Sequence, residues 1–410
     1  MTAPVMQVLV GFQTTTGFGT VFLLNDAFFG VLDTAGRGTL GGLEFADLTS
    51  LVESVNITRG RNRQLDQFNA GTATVSFDNA TRILDPSNTA SIYYPFVLPR
   101  CPIIILANGI PIYTGLITDW NLNYDIANQD IMYAACSDQF TVLANQSFGG
   151  FSNTEVSSSE LVKAVLIQPD VLYQGPQEIT TGSSTMGAFF IDVDTNCLDY
   201  LQRITTSEQG YLYIAADGTL TFKGRTSVLN PVADATFTYD GTGIPYQTLL
   251  NEFGDELLYN YIVTESPAGA AQTTSDADSI ALYQTQTYQV LDLLNSTVTE
   301  VAGLGEYLLG KYRNPVLRFN GLSTQLAALT ETQQNVCLNL DLTDVCTVTK
   351  NFVTGTPSDI SQTLIVSGVS HNIVPGSHII SYTFEATDAN QYMTLDDTIF
   401  GTLDNNLLSF

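Results

Sequence analysis

Basic residues are scarce in this chain of 410 residues. It has 14 lysines and arginines against 41 acidic residues, which gives a formal net charge of −27. A protein that binds nucleic acid by neutralising phosphates needs a surface rich in lysine and arginine, and this composition does not supply one. The same imbalance argues against attraction to an anionic membrane surface.

Long hydrophobic runs and clustered cysteines are also missing. No stretch reaches the ~18 apolar residues of a membrane-spanning helix, and Met1–Pro4 lacks the basic residues that open a signal peptide. We therefore expect a protein made in the cytoplasm, with no membrane insertion by this chain. The five cysteines are odd in number and widely scattered, which favours buried thiols over a disulfide framework.

Histidine is nearly absent, and no metal-binding pattern is recognisable. His371 and His378 lie on the two arms of one predicted hairpin, outside any cluster of cysteines or carboxylates with metal-ligand spacing, so a structural role is favoured. The segment from Asp192 resembles the start of a calcium loop. Its sixth position is Cys197 instead of glycine and its twelfth is Arg203 instead of glutamate, so a helix N-cap is the better interpretation.

Catalytic motifs are lacking as well. The glycine-rich stretch 36–42 has no following Lys-Ser/Thr and no helical pattern, which disfavours a phosphate cradle. No metalloprotease, nucleophile-elbow or Cys-x-x-Cys pattern occurs. We predict no catalytic residues, no cofactor-binding residues and no metal ligands. A pair of carboxylates acting on a glycoside stays open as an alternative, because such pairs cannot be recognised in so acidic a sequence.

The residues that are abundant indicate a folded, β-rich protein. Hydrophobic residues make up 44% of the chain and charged residues only 13%, while 22 phenylalanines and 19 tyrosines accompany many small polar residues. A chain of this length forms two to four domains.

The most informative segment is Val55–Pro86, which contains four of the ten arginines of the chain. Val55 and Ile57 alternate with polar residues before Arg59-Gly60, and a second alternation covers residues 72–78. A period of two predicts strands with one buried and one wet face. Concentrating scarce cations in one segment implies that they have fixed partners.

This segment resembles the first domain of the tail-hub proteins of tailed bacteriophages, the ring at the tip of the tail tube. The resemblance rests on an ordered motif: Arg59, Gly60, Arg61, Arg63, Asp66, Phe68, Ala70, Gly71, Thr72, Ala73, Thr74, Val75, Asp78, Asn79, Arg82, Asp85 and Pro86. Tyr93–Pro95 and Thr114–Trp120 follow in the family's order. Two positions differ from the family: Leu84 stands where an aromatic residue is usual, and Phe77 where leucine is usual.

Three later stretches match the same family in order. Residues 208–225 resemble its helix-then-hairpin, with Asp217-Gly218 as the turn. Residues 278–283 resemble a segment that leads into a helix, and residues 369–376 resemble the closing hairpin. Between them, Ser157 with Glu160 predicts a helix start, and residues 197–204 and 301–312 have helical patterns. The alternation of Leu338, Leu340 and Leu342 predicts a strand.

The resemblance implies an α+β, predominantly β fold: two β-barrel-like domains flanking two mixed α/β domains. The expected boundaries are 1–140, with a Gly/Thr-rich elaboration at 11–46, then 141–232, 233–325 and 326–410, the last ending in a tail. It implies a structural virion protein, a minor tail protein that forms the homotrimeric baseplate hub at the tail tip. That ring adapts the six-fold tail tube or distal tail protein to three-fold tip or fibre proteins.

The alternative functions are a tail-tip peptidoglycan hydrolase and a receptor-binding adhesin. In relatives that hydrolyse peptidoglycan the activity lies in an added C-terminal domain, and this sequence stops about where the hub module stops. We therefore expect no enzyme activity from this chain. DNA is expected to pass through an acidic or neutral lumen without specific binding.

The arginines give a residue-level prediction. Arg59, Arg61 and Arg63 occupy alternating positions, so an extended segment would point all three the same way. We predict that they pair with carboxylates, with Asp66 and Asp85 as the nearest in sequence.

Overall fold

The computed structural model describes residues 2–13, 43–125, 130–171, 173–228 and 232–387. The predicted loop at 36–42 and the C-terminal tail from 388 lie outside the described residues, as does most of the 11–46 elaboration. No helix in the described ranges is long and apolar enough to cross a membrane.

Most of the regular structure is strand. The strands, numbered in chain order, are β1 (Met6–Gln13), β2 (Leu43–Asp47), β3 (Val52–Gly60), β4 (Asn69–Asp78), β5 (Cys101–Ala107), β6 (Ile110–Asn123), β7 (Ile131–Ser137), β8 (Ser147–Phe148), β9 (Phe151–Ser152), β10 (Val156–Ser157), β11 (Gln177–Ile179), β12 (Thr185–Met186), β13 (Phe190–Ile191), β14 (Thr195–Asn196), β15 (Tyr211–Ile214), β16 (Leu220–Lys223), β17 (Ala235–Phe237), β18 (Thr248–Glu252), β19 (Tyr261–Thr264), β20 (Gln272–Ser275), β21 (Thr287–Val290), β22 (Arg318–Gln325), β23 (Val345–Asn351), β24 (Asp359–Val374) and β25 (Ser377–Ala386).

The helices lie mainly in the middle of the chain. They are α1 (Phe140–Ala144), α2 (Ser158–Leu166), α3 (Cys197–Glu208), α4 (Ala277–Tyr283), α5 (Val298–Tyr312) and α6 (Glu331–Asn339), with 3₁₀ turns at Thr49–Leu51, Arg225–Val228 and Leu326–Ala328. The predominantly β fold with helices in its central part is therefore confirmed.

A sheet of 13 strands joins the two ends of the chain. Its order is β18-β22-β25-β24-β3-β4-β7-β6-β5-β1-β2, with β23 branching from β24 and β17 pairing with β23. The antiparallel pair of β24 and β3, which places Val369 opposite Arg59, connects strands of the first and last predicted units. Among the described strands the pairing closes no barrel. The two-barrel, four-domain division stays a prediction.

The alternation in β3 and β4 has the predicted meaning. Val55 and Ile57 of β3 and Val75 of β4 are buried, while Asn56 and Thr58, which alternate with them on β3, are exposed. The hairpin β15–β16 turns at Gly218, whose φ is +90°. The left-handed backbone there suits glycine, which has no Cβ to clash.

Helix starts also follow the sequence signals. Ser157 and Glu160 form the predicted capping box before α2, because each side chain satisfies a backbone N–H at the helix start. The side chain of Asn196 accepts the N–H of Asp199 and caps α3. The aspartates before Asn196 therefore lead into a helix cap, as predicted. All five cysteines are buried and free, as predicted.

One predicted strand is wrong. Leu338 lies in α6, and Leu340 and Leu342 follow that helix outside any strand. Thr330 and Gln333 form a capping box that starts α6, and this signal outweighs the period of two, which was visible over only three leucines.

Two hydrophobic cores run through the described part of the chain. The main core runs through the large sheet and the helices α1 to α3. A smaller core packs α5 against β19 and β21 through Ile262, Val290, Leu304 and Leu308. Tyr312 at the end of α5 belongs to this smaller core and borders the site described next.

Candidate functional site

The arginine segment begins at the end of β3, where the chain crosses close to β24. Gly60 has a φ of +105°, and a Cβ built there would lie 2.3 Å from the carbonyl oxygen of Ser367. The N–H of Arg61 donates to that same oxygen at 2.9 Å. Only glycine fits this crossing without strain, so Gly60 fixes how the arginines leave the strand.

Arg59 is buried in the sheet and pairs with a distant loop. It is 5% exposed, and its Nη2 lies 2.7 Å from Oδ1 of Asp341. Its Nε and Nη1 have no hydrogen-bond partner within the described part of the chain. Its methylene groups flank Gly71 together with the Asp138 carboxylate, because a Cβ at Gly71 would lie 2.9 Å from Arg59 Cγ and 2.8 Å from Asp138 Oδ2.

Arg61 forms a second ion pair, in which the carboxylate is fully buried. Its Nη2 lies 2.5 Å from Oε2 of Glu385 on β25, and the two side chains are 10% and 1% exposed. The other Glu385 oxygen accepts the hydroxyl of Tyr211 at 2.8 Å. The Arg61 guanidinium also lies 4.7 Å from the ring centroid of Phe68 and 5.5 Å from that of Tyr211, distances at which cation–π attraction operates.

The third arginine is different, because Arg63 is at the surface. It pairs with Glu256 at 2.9 Å, with side chains 67% and 44% exposed. The prediction of carboxylate partners is therefore confirmed for all three arginines, but the named partners are wrong. The common direction is also wrong, because the strand ends at Gly60 and the extended geometry does not continue to Arg63.

Asp85 instead binds Arg82 within the loop that follows β4. Both Arg82 Nε and Nη2 donate to its Oδ2, at 2.8 and 2.6 Å. Burial alone would raise the pKa of Asp85, but hydrogen bonds from Ser87, Arg82 and Tyr124 outweigh it and lower the pKa to about 2. This carboxylate stays ionised and holds the loop in place.

The pair of Arg61 and Glu385 lies where all four predicted units come together. Arg61 lies beside Phe68 from the first unit, Tyr211 from the second and Glu385 from the last. Tyr312 of the third unit lines the same small cavity, which has a volume of about 60 Å³. We call the group around this cavity the junction; its lining residues are Arg61, Gln64, Leu65, Asp66, Gln67, Phe68, Thr205, Thr206, Gln209, Gly210, Tyr211, Tyr288, Tyr307, Lys311, Tyr312 and Glu385.

The histidines form a buried pair beside Arg59. His371 Nδ1 and His378 Nε2 are 3.0 Å apart, and both rings are nearly inaccessible. Burial lowers the pKa of His378 to about 4. Burial, His378 and the positive charge of Arg59 lower the pKa of His371 further below its usual value. At neutral pH both rings are uncharged and hydrogen-bonded to each other.

Asp138 is buried and Asp344 half-buried; both have raised pKa values, and both accept backbone N–H groups. Burial raises the pKa of Asp138 to about 7, and its two oxygens accept the N–H groups of Gly71 and Phe140. Burial raises the pKa of Asp344 to about 6, and it accepts the N–H of Asp341. Perturbed pKa values mark candidate sites, but these groups serve as local structural acceptors.

Within the described ranges, no group of three or more His, Cys, Asp or Glu side chains is arranged to hold a metal ion. The junction instead combines cations, phenols and amides, which bind through hydrogen bonds. Polar side chains from the four predicted units therefore meet at the junction.

No protein-family model matches this sequence, and no curated protein sequence matches it. Several solved structures resemble it, among them three tail proteins. The tail protein from Neisseria meningitidis MC58 has a TM-score of 0.57 and 12% identity, over 84% of this chain and 94% of that one. The 43 kDa tail protein of prophage MuSo2 from Shewanella oneidensis has a TM-score of 0.55 and 12% identity, over 86% of this chain and 97% of that one. The prophage tail protein gp18 from Listeria monocytogenes EGD-e has a TM-score of 0.50 and 10% identity, over 93% of this chain and 95% of that one.

The chain has the fold of these tail proteins. The resemblance inferred from the motifs is supported at the level of fold, and the hub type stays a prediction. At identities of 10–12% the likeness shows a shared fold but does not assign roles to individual residues. The roles of the arginines therefore rest on the geometry of this chain.

Sequence reasoning missed the acidic partners of the arginines. Glu385 is 324 residues from Arg61, and Asp341 lies in a loop after α6. The alternation of β25 would place Glu385 on the face opposite Phe384, yet both are buried because Tyr211 and Arg61 cover the second face. The local sequence around Glu385 does not indicate that residues far along the chain bury it.

Proposed function

We propose that this chain is a structural virion protein of a phage tail, the homotrimeric hub at the tail tip. The observation that carries the proposal is the fold, which the chain shares with three tail proteins over 84%, 86% and 93% of its length. In this role the hub adapts the distal tail or tail tube protein above it to tip or fibre proteins below. The proposal gives the chain no catalytic role.

The surface supports an assembled state. Large apolar side chains are exposed at many places, and solvent exposure of this kind marks contact surfaces when the residues lie together. Edge strand β18 is one such place, because Leu250 on it is 61% exposed and the adjacent Phe253 is 69% exposed. β18 is also an end strand of the large sheet, where unpaired backbone groups favour pairing with another chain.

A second exposed element is α4. Only Ser279 of its seven residues is buried, while Leu282 is 74% exposed. The helix is nevertheless fixed, since the Ser279 hydroxyl donates to the carbonyl of Arg313 and Arg313 pairs with Asp276 at 3.0 Å. An ordered element that displays leucine to solvent suits a contact with a neighbouring protein.

Charge supports passage of DNA through the ring. Three copies carry 3 × −27 = −81 formal charges. A basic wall would bind the double helix by counterion release and retain it. An acidic wall repels it over ~8 Å at physiological salt, and a neutral wall does not attract it, so the genome slides without sticking.

The proposal is tested by oligomeric state, position and DNA binding together. Light scattering of the purified chain should give a trimer, and antibody-labelled electron microscopy should place three copies at the tail tip. Duplex DNA should show no measurable binding at physiological salt. A monomer in solution with a single copy per tip, or an axial channel lined by lysine and arginine, would refute the hub.

A further inference from the structure

An exposed apolar side chain lies on the second predicted unit, where β9 pairs with β13. Phe190 of β13 is 65% exposed and lies opposite Ser152 of β9, which is also exposed, whereas the next residue, Ile191, is buried. Side chains alternate between the two faces of a strand pair. Phe190 and Ser152 therefore share the solvent face, while Ile191 belongs to the main core on the other face.

A glycine lets a second apolar side chain lie against the same ring. Val193 is 64% exposed, and a Cβ built on Gly150 would lie 3.1 Å from Val193 Cγ2 and 3.3 Å from Phe190 Cζ. The two side chains thus lie side by side over Gly150. Exposed apolar side chains that lie together indicate a contact surface, whereas single scattered ones do not. We call Ser152, Phe190 and Val193, together with Gly150 beneath them, the Phe190 face.

Hydrogen bonds fix the backbone that carries this face. The side chain of Asn153 accepts the N–H of Phe189 at 3.1 Å and donates to the carbonyl oxygen of Gly187 at 2.7 Å. The N–H of Asp194 donates to the carbonyl oxygen of Phe148 at 3.1 Å and holds the turn after β13. An aromatic side chain on a fixed backbone loses little freedom on binding, which is a property of interface anchors.

The charges in the loops that adjoin the Phe190 face are all negative. Asp192 and Asp194 lie in the turn itself, and Asp170 accepts the N–H of Gly149 at 3.0 Å. All three aspartates are exposed, and within the described ranges none of them forms an ion pair. The strands β9 and β13 and the three residues on each side of them contain no lysine or arginine. An apolar centre within an acidic rim fits a partner that brings cations.

The net charge decides between a second copy and a different protein. A second copy carries the same formal charge of −27 and would bring mostly like charge to the acidic rim, which is unfavourable. We propose that the Phe190 face docks a segment of a different protein, in which an apolar side chain is flanked by lysine or arginine. This contact goes beyond the proposed hub, because it requires a partner of this chemistry but no position at the tail tip.

Photochemical crosslinking tests which partner lies on the face. Phe190 is replaced by p-benzoylphenylalanine in the full-length protein, in the cells that naturally make it and in particles purified from them. Light should join the chain to a different protein, and mass spectrometry should find lysine or arginine within about three residues of the crosslinked apolar residue. The same amino acid at Val353, which is fully exposed in the turn between β23 and β24, should not give this product.

Three outcomes of the crosslinking would overturn the proposal. They are a crosslink from position 190 to another copy of this chain, a crosslink to a segment without basic residues, and no product beyond that formed from position 353. The crosslink is scored in whichever complex contains the chain. A trimer without the crosslink, or the crosslink without a trimer, therefore separates the failure of the docking face from the failure of the hub.

The crosslinked segment, synthesised as a peptide, is then the probe for affinity to the purified full-length protein, measured by fluorescence anisotropy. Phe190→Ser should weaken binding at least about thirtyfold, the effect of losing an aromatic anchor, whereas Val353→Ser should leave the affinity within about twofold. Both side chains are exposed, so both variants should keep the melting temperature of the wild type. Equal affinities of the two variants would overturn the proposal.

The acidic rim is tested with the same peptide. The double variant Asp192→Asn with Asp194→Asn should weaken binding about threefold at low salt and by less at high salt, because salt screens the attraction between exposed charges. Wild-type affinity that does not change with salt, together with full affinity of the double variant, would show that the partner is not selected by charge and would overturn the proposed chemistry.

Discussion

Replacing Arg61 with methionine should be strongly destabilising, although it removes only one charge. Methionine keeps an unbranched chain of similar length but leaves Glu385, whose side chain is 1% exposed, as an unpaired buried carboxylate. Its remaining side-chain partner is the hydroxyl of Tyr211. Burying a charge without its counter-charge is the costly part of the change.

The magnitude follows from burial. Breaking a buried pair by removing one partner costs about 3–5 kcal/mol, and loss of cation–π contact with Phe68 and Tyr211 adds up to about 1 kcal/mol. The surface pair of Arg63 and Glu256 is a matched control in the same segment, because exposed pairs contribute at most about 1 kcal/mol. Arg63→Met should therefore leave the free energy of unfolding almost unchanged.

Urea unfolding followed by circular dichroism and by the fluorescence of Trp120, the only tryptophan, measures both variants. The double variant Arg61→Met with Glu385→Leu should recover most of the loss, since apolar replacement of both partners removes the unpaired charge. If Arg61→Met and Arg63→Met were equally mild, the buried pair would not stabilise the junction and this reasoning would be refuted.

Two further predictions concern the strand crossing and the histidine pair. Gly60→Ala should lower the free energy of unfolding by more than about 2 kcal/mol, because the new Cβ would combine a positive φ with overlap on the Ser367 carbonyl oxygen. The control is Gly376→Ala, at φ +79° with open space around it, which should lower it by only about 1 kcal/mol. The folded pKa of His378, about 4, lies below the unfolded value, so the unfolded chain binds the proton first as pH falls. Unfolding free energy of the wild type should therefore drop by about 2 kcal/mol more than that of His378→Gln between pH 7 and pH 5; parallel curves would contradict this.

The features that the sequence predicted correctly are local ones. The alternation in β3 and β4, the Asp217-Gly218 turn and the Ser157 capping box each depend on neighbours within a few residues, so the chain shows them directly. The prediction of a strand around Leu340 was wrong because it, too, used only neighbouring residues. Three alternating leucines are too short a pattern to decide between a strand and the end of a helix.

What could not be predicted is the closure of the large sheet by distant segments. The pairing of β3 with β24, and hence the placing of Asp341 and Glu385 beside the arginines, depends on contacts across most of the chain. The scarcity of arginine indicated that fixed partners exist. It could not choose among 41 acidic residues, because charge pairing carries no sequence-distance preference once the fold brings segments together.

The buried pairs support the hypothesis that these arginines specify the alignment of the fold more than they stabilise it. A slip of one residue between β3 and β24 would turn Arg59 to the other face of the sheet and separate it from Asp341, and the same shift would separate Arg61 from Glu385. Arg59 would then lie on the exposed face of β3, while Glu385, whose side chain is 1% exposed, would lose its counter-charge at a cost of several kcal/mol. An apolar pair at these positions would tolerate the slip far better. Scarce cations at the crossing of the first and last strands thus make one alignment of the chain ends much more favourable than its neighbours.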